Sequence, residues 1–426
     1  MSAAAEGAHP RPAVVVPVLG VAQILAWGST YYLLAVLARP IANDTGWPAA
    51  WVVGGLSLGL LTAGLASPRI GDAIQRLGGR PVLAGGAGLM ALGLAGLALA
   101  PSLAAYLACW IVLGVGMAAG LYDAAFATLG RLYGQRGRTA IATLTLFGGF
   151  ASTACWPLSA LLAAALGWRG ACLAYAGIHL AILLPLYLLA LPREPQQRPA
   201  AAAHGQSPRA ACSPIPPGAG ALFALLAAAI TVGSMISTLV SVHLLALLQA
   251  RGVALGGAVA LGALVGPSQV GARAIEMLVA RYHHPIWTMA AATALVAIGL
   301  ALLWTGLGVA PAALLLYGAG IGIQSIARGT LPLALFGEGR YAAIMGRVAM
   351  PSLIIQAAAP LLGAVAMERL GAGGTLAALV AVAVLDGALA AGLFLLVPRR
   401  ARAARDPRPP SGRAVAYWLR REKDSA

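Results

Sequence analysis

The chain has 426 residues, of which 60% are hydrophobic and 9% charged, with a formal net charge of +16. A soluble domain of this length needs a charged exterior, so the composition excludes one. The basic residues form no single amphipathic face but sit in short loops and a tail, which excludes nucleic-acid binding and points to orientation in a bilayer.

The first dozen residues are polar and end His9-Pro10-Arg11-Pro12. The apolar block after them is longer than a signal-peptide core and reads as a retained first span. A hydrocarbon layer of ~30 Å needs ~20 apolar helical residues per crossing, with every amide paired internally. On that measure spans are predicted at 13–38, 49–67, 81–100, 103–130, 140–166 and 170–191. Six more follow at 218–248, 254–279, 285–309, 311–336, 347–367 and 374–397. The stretch between the sets, 192–217, is rich in Pro, Ala and Gln, carries Arg193, Arg198 and Arg209, and reads as a linker. The expected fold is an all-α membrane protein: twelve transmembrane helices in two pseudo-symmetric six-helix bundles, 1–191 and 218–397. A basic tail at 398–426 completes the chain, with Val415, Trp418 and Leu419 set among arginines as a candidate surface for an anionic leaflet.

Orientation follows from the Lys and Arg distribution. With a cytoplasmic N-terminus, the outer loops hold only Arg39, Arg169, Arg251 and Arg369. The inner side holds Arg69, Arg76, Arg80, Arg131, Arg136, Arg138, the linker arginines, Arg281, Arg340 and the tail. Both termini are therefore expected in the cytoplasm of a cell with a cytoplasmic (inner) membrane. The halves also resemble each other. Leu132-Tyr133-Gly134, Ile141 and Pro157-Leu158 recur as Leu335-Phe336-Gly337, Ile344 and Pro360-Leu361. Parallel repeats of this kind place a cargo site at their interface.

Between spans two and three the chain reads Gly71-Asp72-Ala73-Ile74-Gln75-Arg76-Leu77-Gly78-Gly79-Arg80. This resembles the signature loop of the major facilitator superfamily, with Gln75 in place of the usual acid and Gly79 in place of one base. Asp72 is placed to stand in for the acid from one turn earlier. The Gly167-Trp168-Arg169 turn and the basic loop 131–138 look like the bacterial branches near monocarboxylate and oxalate/formate transporters. The resemblance implies a secondary transporter of alternating access whose spans one, four, seven and ten line a central cavity. It also implies gating by Gln75, Arg76 and Arg80 in the signature loop.

Charges near mid-membrane are costly unless paired or hydrated. Asp123 lies ~12 Å and Arg328 ~13 Å from the inner surface, at 1.5 Å per residue from the nearest loop. The pair is expected to reach the cavity, Asp123 as proton carrier and Arg328 as anion anchor or counter-charge. The competing reading is a structural ion pair, since Asp123 shares a face with Gly116, Gly120, Ala127 and Gly130, a close-packing stripe. Gln324, one turn before Arg328, favours a wet surface. Gln23, Trp27, Thr30 and Tyr31 share a face of span one, as do Thr231, Ser234, Thr238 and Ser241 of span seven. Each stripe suits a binding surface, or alternatively side chains bonding to the backbone one turn back.

Gln269, Arg273 and Glu276 share a face towards the inner end of span eight, and the last two, three apart, are expected to pair as an inner gate. Gln356 reads as interhelical glue, and Asp386 as a buried neutral or partnered acid. His179 and His243 read as packing or hydrogen-bonding residues. The His283-His284 dipeptide has no acid or Cys set nearby in sequence to make a metal site. The cysteines, Cys109, Cys155, Cys172 and Cys212, show no paired or metal-type spacing; the first three lie in spans.

No phosphate-binding Gly-x-x-x-x-Gly-Lys-Ser/Thr loop occurs, so ATP is not expected to be used directly. The expected partners are a small-molecule substrate, protons and the lipid bilayer, with no cofactor. The expected function is proton-coupled transport of a small organic compound, leaning to export. Uptake or exchange of a small carboxylate is the alternative that Arg328 favours. A non-transporting receptor or sensor is the alternative of another class. No Ser–Lys, Asp–Asp or His-Glu-x-x-His set supports an intramembrane enzyme.

Overall fold

A computed structural model describes residues 12–193 and 219–397. The expected tail and Cys212 lie outside the described residues, as does the expected linker apart from its first two residues. The described residues form helices and short turns without a strand. The helix is the element that pairs every amide within one segment, as a lipid surrounding demands.

The first half contains α1 (Pro12–Ser29), α2 (Leu33–Thr45), α3 (Ala49–Leu77), α4 (Gly79–Leu99), α5 (Leu103–Gly120) and α6 (Tyr122–Tyr133). It continues through α7 (Gly137–Gly149), α8 (Ala151–Ile178) and α9 (Leu184–Ala190). The second half contains α10 (Ala219–Ala250), α11 (Leu255–Gly262), α12 (Val265–Val279), α13 (Pro285–Thr305), α14 (Ala310–Phe336) and α15 (Tyr341–Leu396).

Among the described residues, nine segments are long and apolar enough to cross a bilayer. Two far exceed one crossing: Leu103–Ala190 has 88 residues and Glu338–Leu396 has 59. At 1.5 Å per residue even the shorter is ~90 Å, against a ~30 Å hydrocarbon layer. Positive-φ glycines break both, Gly134 (53°) and Gly167 (69°) in the first and Gly371 (65°) in the second. These positive-φ glycines come in matched places of the two halves: Gly46 with Gly252, Gly134 with Gly337, and Gly167 with Gly371. The glycines of the Leu-Tyr-Gly and Leu-Phe-Gly segments thus share a positive φ, at positions where a Cβ is costly.

Four apolar segments are interrupted where the sequence predicts one continuous helix. The breaks fall at Thr30–Tyr32, at Leu121, at Phe150 and at Ala263–Leu264. A fifth irregularity is the π turn His179–Leu183. It runs into Pro185, whose missing N–H removes a bond of the regular ladder.

The expected loop 71–80 is largely helical instead. α3 runs on to Leu77 and α4 resumes at Gly79, leaving only Gly78 (φ 87°) between them. Nothing from Ile70 to Leu77 breaks a helix, so α3 continues past its apolar block. For the same reason α10 reaches Ala250, and α15 starts at Tyr341 rather than at 347.

The core of the first half is one cluster of buried apolar side chains, joined by Leu333, Tyr341, Ala342 and Met345. The second half has two clusters. At the end carrying the basic loops the halves close on each other. α3 meets α15 at Gly64, Gly71 and Gly346, where Met350 and Ile354 fill the space beside Gly64. Tyr341 packs into the space left by Gly130 of α6.

Candidate functional site

Asp123 sits in the first turn of α6, immediately after the break at Leu121. Arg328 lies inside α14. Arg328 Nε donates to Asp123 Oδ1 at 2.9 Å and Nη2 to Oδ2 at 2.8 Å, a bidentate pair. Its Nη1 donates to Ser352 Oγ of α15 at 2.9 Å and, more weakly, to Ser234 Oγ of α10 at 3.3 Å. One guanidinium therefore ties the first half to three helices of the second. The planar fork fits a carboxylate as an ammonium cannot. Of the small stripe beside Asp123, Gly116 and Gly120 pack on Met90 of α4 and Gly130 on Tyr341, so that face serves close packing while Asp123 reaches the other half.

Arg273 of α12 is the second deep guanidinium, and only 6% exposed. It donates to the carbonyls of Gly322 (3.2 Å) and Thr145 (2.9 Å) and to Gln269 Oε1 (3.3 Å). The approach of α12 to α14 is possible because Gly322 has no side chain: a Cβ there would lie 2.5 Å from the Gln269 carbonyl oxygen. None of these partners is a carboxylate. The expected pair with Glu276 does not form. Glu276 accepts from Thr288 Oγ1 at 2.6 Å and stands 3.6 Å from His283 Nε2. Spacing of three allows a contact but does not compel it, and a hydroxyl on α13 takes the carboxylate instead. His283 thus has an acid beside it that sequence neighbours did not reveal. The Glu276 hydrogen bond raises the His283 pKa above the ordinary value, while burial lowers that of His284.

Aromatic rings collect where the broken helices meet. Trp27 lies 5.2 Å from both Tyr31 and Tyr122, and Tyr122 stacks on Phe126 at 5.1 Å. Tyr31 and Tyr32 are 5.3 Å apart, and Tyr32 faces Trp156 at 6.2 Å. An open cleft of about 460 Å³ runs beside Trp156, lined also by Ala35, Val36, Ser152, Thr153 and Ala160. That volume is in the range of small-molecule sites.

The predicted stripes divide. Gln23 is fully buried and donates to the Gly120 carbonyl at 2.7 Å, which the break after α5 leaves without a helical partner. Its Oε1 accepts from Trp27 Nε1 at 3.2 Å. Thr30 is buried and bonds back to Ala26, and Thr231 back to Ala227, so both take the backbone alternative. Thr30 and Tyr31 do not continue one helical face, because α1 has already ended at Ser29. Gln356 is not interhelical glue. Its amide donates to the carbonyl and hydroxyl of Ser352 on its own helix.

His179 meets Ser29 Oγ at 2.8 Å, beside the break in the first span, and His243 meets the Pro360 carbonyl at 2.9 Å. Asp386 is 1% exposed. Its Oδ2 accepts from Gln324 Nε2 at 3.5 Å, while Oδ1 has no partner among the described residues. Gln324 therefore turns towards Asp386 rather than an open wet surface.

At the basic end Gln75 Nε2 donates to the Gly339 carbonyl at 3.0 Å, and Asp72 pairs with Arg347 of α15 at 3.8 Å. Asp72 thus bridges to the other half where Gln75 has no charge to offer. Among the described residues Arg76 bonds the Asp72 carbonyl, at 3.4 Å, and Arg80 has no ion pair. At the opposite end Trp168 and Arg169 both bond Asp44, the former at 2.9 Å.

Sequence reasoning missed Tyr32, Tyr122, Trp156, Thr145 and Ser352. Tyr32 and Tyr122 carried a signal, as polar aromatics beside residues already singled out. Thr145 enters through its carbonyl, which no side-chain pattern reports.

Apolar helices long enough to cross a bilayer, with charged side chains held deep among them, define a multi-pass membrane protein. The model of the Major Facilitator Superfamily matches residues 19–345, and the chain belongs to that family of secondary transporters. It is 35% identical over 169 residues to monocarboxylate transporter 11 of Homo sapiens, covering 38% of this chain and 34% of that one. The Mus musculus protein of the same name is 34% identical over 173 residues, covering 38% and 36%. The chain thus matches about a third of the length of these relatives. Among solved structures, the human organic anion transporter MFSD10 (TETRAN) superposes with a TM-score of 0.68 at 18% identity, over 89% of this chain and 100% of that one. The proton:xylose symporter XylE gives a TM-score of 0.70 at 12% identity, over 92% and 97%. FucP in its outward conformation gives 0.68 at 16%, over 90% and 99%. At these identities the likeness is one of fold.

Proposed function

We propose that this transporter carries a small organic monocarboxylate together with a proton, by alternating access across the cytoplasmic membrane. The observation that carries the reading is the contrast between the two deep guanidinium groups. Arg328 is matched by Asp123, whereas Arg273 is buried among neutral oxygens and keeps its charge for an incoming anion. A buried unpaired charge is expensive unless a ligand or water meets it. This favours the carboxylate alternative over export of an apolar compound. The names of the partial relatives and of one fold neighbour, which specify monocarboxylates and organic anions, agree with it.

In this reading Arg273 grips the carboxylate, and Tyr32, Tyr122, Trp27 and Trp156 form the wall for its organic part. Asp123 takes the coupled proton. Protonation removes one partner of the bidentate pair, whose charge-assisted bonds are worth ~1.5–3 kcal/mol each, and so loosens the tie between the halves. The architecture that suits this cycle is twelve crossings in two six-helix halves. The nine apolar segments yield twelve when the 88-residue one is divided into three and the 59-residue one into two, at their positive-φ glycines. The Arg-rich ends then face the cytoplasm with both termini, and the state described is closed on that side.

The experiment is a thermal-shift screen of the purified protein against organic acids and their matched amides. Binding raises stability with the logarithm of ligand concentration over Kd. An acid should stabilise the wild type, its amide should not, and Arg273→Gln should lose the shift. Equal shifts from acid and amide would sink the proposal. A receptor of the same fold would bind but show no counterflow in vesicles.

A further inference from the structure

We propose that Asp386 is a second proton-binding carboxyl of the transport cycle, and that Arg328 exchanges Asp123 for Asp386 as its partner. The inference rests on proton coupling at Asp123 and extends it to a residue in the last part of α15.

Asp386 is buried, and among the described residues one oxygen has no partner and the other has only a long bond from a neutral amide. An ionised carboxylate in that setting would be uncompensated, so the group is held here as the neutral acid. Its surroundings contain little that titrates. Of the elements packed against this part of α15, α13 has no charged residue and α10 has only His243, bonded to the Pro360 carbonyl. α14 contributes Tyr317 and Arg328. α3 and α6 meet α15 in its first half, at Gly346, Met350 and Tyr341. Arg328 is therefore the one permanent cation within α10, α13 and α14 as described.

The route between them is short. Gln324, which holds Asp386, is one helical turn before Arg328 on the same face of α14, ~6 Å along the axis. Gly233 leaves room for this contact: a Cβ there would lie 3.1 Å from Asp386 Oδ2 and would collide with the Gln324 amide. The next residue, Ser234, already accepts from Arg328, and Ser352 donates to Ser234 at 3.0 Å. A guanidinium that lost Asp123 has a second acid beside the glutamine one turn away.

The proton balance closes. A proton from one solution neutralises Asp123; Arg328 swings to Asp386, whose proton leaves to the opposite solution once the carrier has switched. On reset the proton of Asp123 passes to Asp386, Arg328 returns to Asp123, and one proton has crossed per cycle.

The test is infrared spectroscopy of the full-length protein in lipid vesicles at neutral pH, without added cargo. The wild type should show a protonated-carboxyl stretch that Asp386→Asn removes and Asp386→Glu shifts in frequency. The glutamate variant keeps the experiment valid should the asparagine fold poorly. In Asp123→Asn the same band should be lost, because Arg328 is freed to pair with Asp386 and ionise it. A wild-type spectrum unchanged by Asp386→Asn and Asp386→Glu, or a band that survives in Asp123→Asn, would overturn the exchange. Proton-coupled accumulation that persists in Asp123→Asn would instead overturn the coupling reading beneath it, whatever the band does.

Discussion

Gly71 of α3 and Gly346 of α15 meet backbone to backbone. A Cβ on Gly71 would lie 3.0 Å from the Cα of Gly346 and 2.5 Å from the Ala342 carbonyl oxygen. This contact holds the basic end shut, so a side chain there should act as a wedge. Overpacking costs ~1–3 kcal/mol, which shifts a two-state equilibrium by roughly 5- to 150-fold. In Gly346→Leu, spin labels at Leu77 and Arg340 should show a longer distance distribution than in the parent. An unchanged distribution would mean that the contact does not set the state.

Arg76 and Arg80 border that contact but reach no part of the Arg273 region. Neutralising both should slow cycling while the equilibrium affinity for the cargo stays within about twofold, surface charges being weak contributors. Affinity from thermal shifts and rate from counterflow separate the two effects. A large affinity loss with normal cycling would remove these residues from the gate.

The two deep arginines should fail differently. Arg273→Gln should abolish the thermal shift by an acid, since it removes the charge that the ligand meets. Arg328→Gln should keep binding but unbalance Asp123, and so lower the stability of the unliganded protein by ~3–5 kcal/mol if Asp123 stays ionised. Chemical unfolding of both variants, with and without the acid, reads the contrast. Equal loss of binding in the two would contradict the division of roles.

Depth was legible in the sequence and partners were not. Counting residues from the nearest loop put Asp123 and Arg328 at one level, and they do pair. The same arithmetic had no means of pairing Arg273, because two of its three partners are backbone carbonyls brought close by Gly322 and by the end of α7. Helical-face counting failed in the first span for a related reason. It assumed an unbroken helix, whereas the break at Thr30–Tyr32 turns Tyr32 towards Trp156. Asp386 was visible as a deep acid, but its neighbour Gln324 comes from another helix. The paired glycines at positive φ were present as letters, and only the backbone distinguishes them from the many that serve packing.

His283 makes stability depend on pH in a stated direction. Its pKa is raised above the ordinary value, first by the hydrogen bond to Glu276. The contribution is then fully present below the ordinary histidine range and lost as pH rises through the folded-state value. Thermal unfolding of the wild type should exceed that of His283→Gln most in acid, and the two curves should converge in alkali. A gap that widens with rising pH would contradict the Glu276 pairing.

The central claim is that one anion and one proton move together, and proton flux measured beside anion flux tests it most directly. Proteoliposomes in weakly buffered medium, given the labelled acid that stabilises the purified protein, should take up label and turn the external medium alkaline in parallel. Asp123→Asn should exchange label by counterflow without the pH change, and Arg273→Gln should do neither. Label entering the wild type while the external pH stays flat would contradict the account.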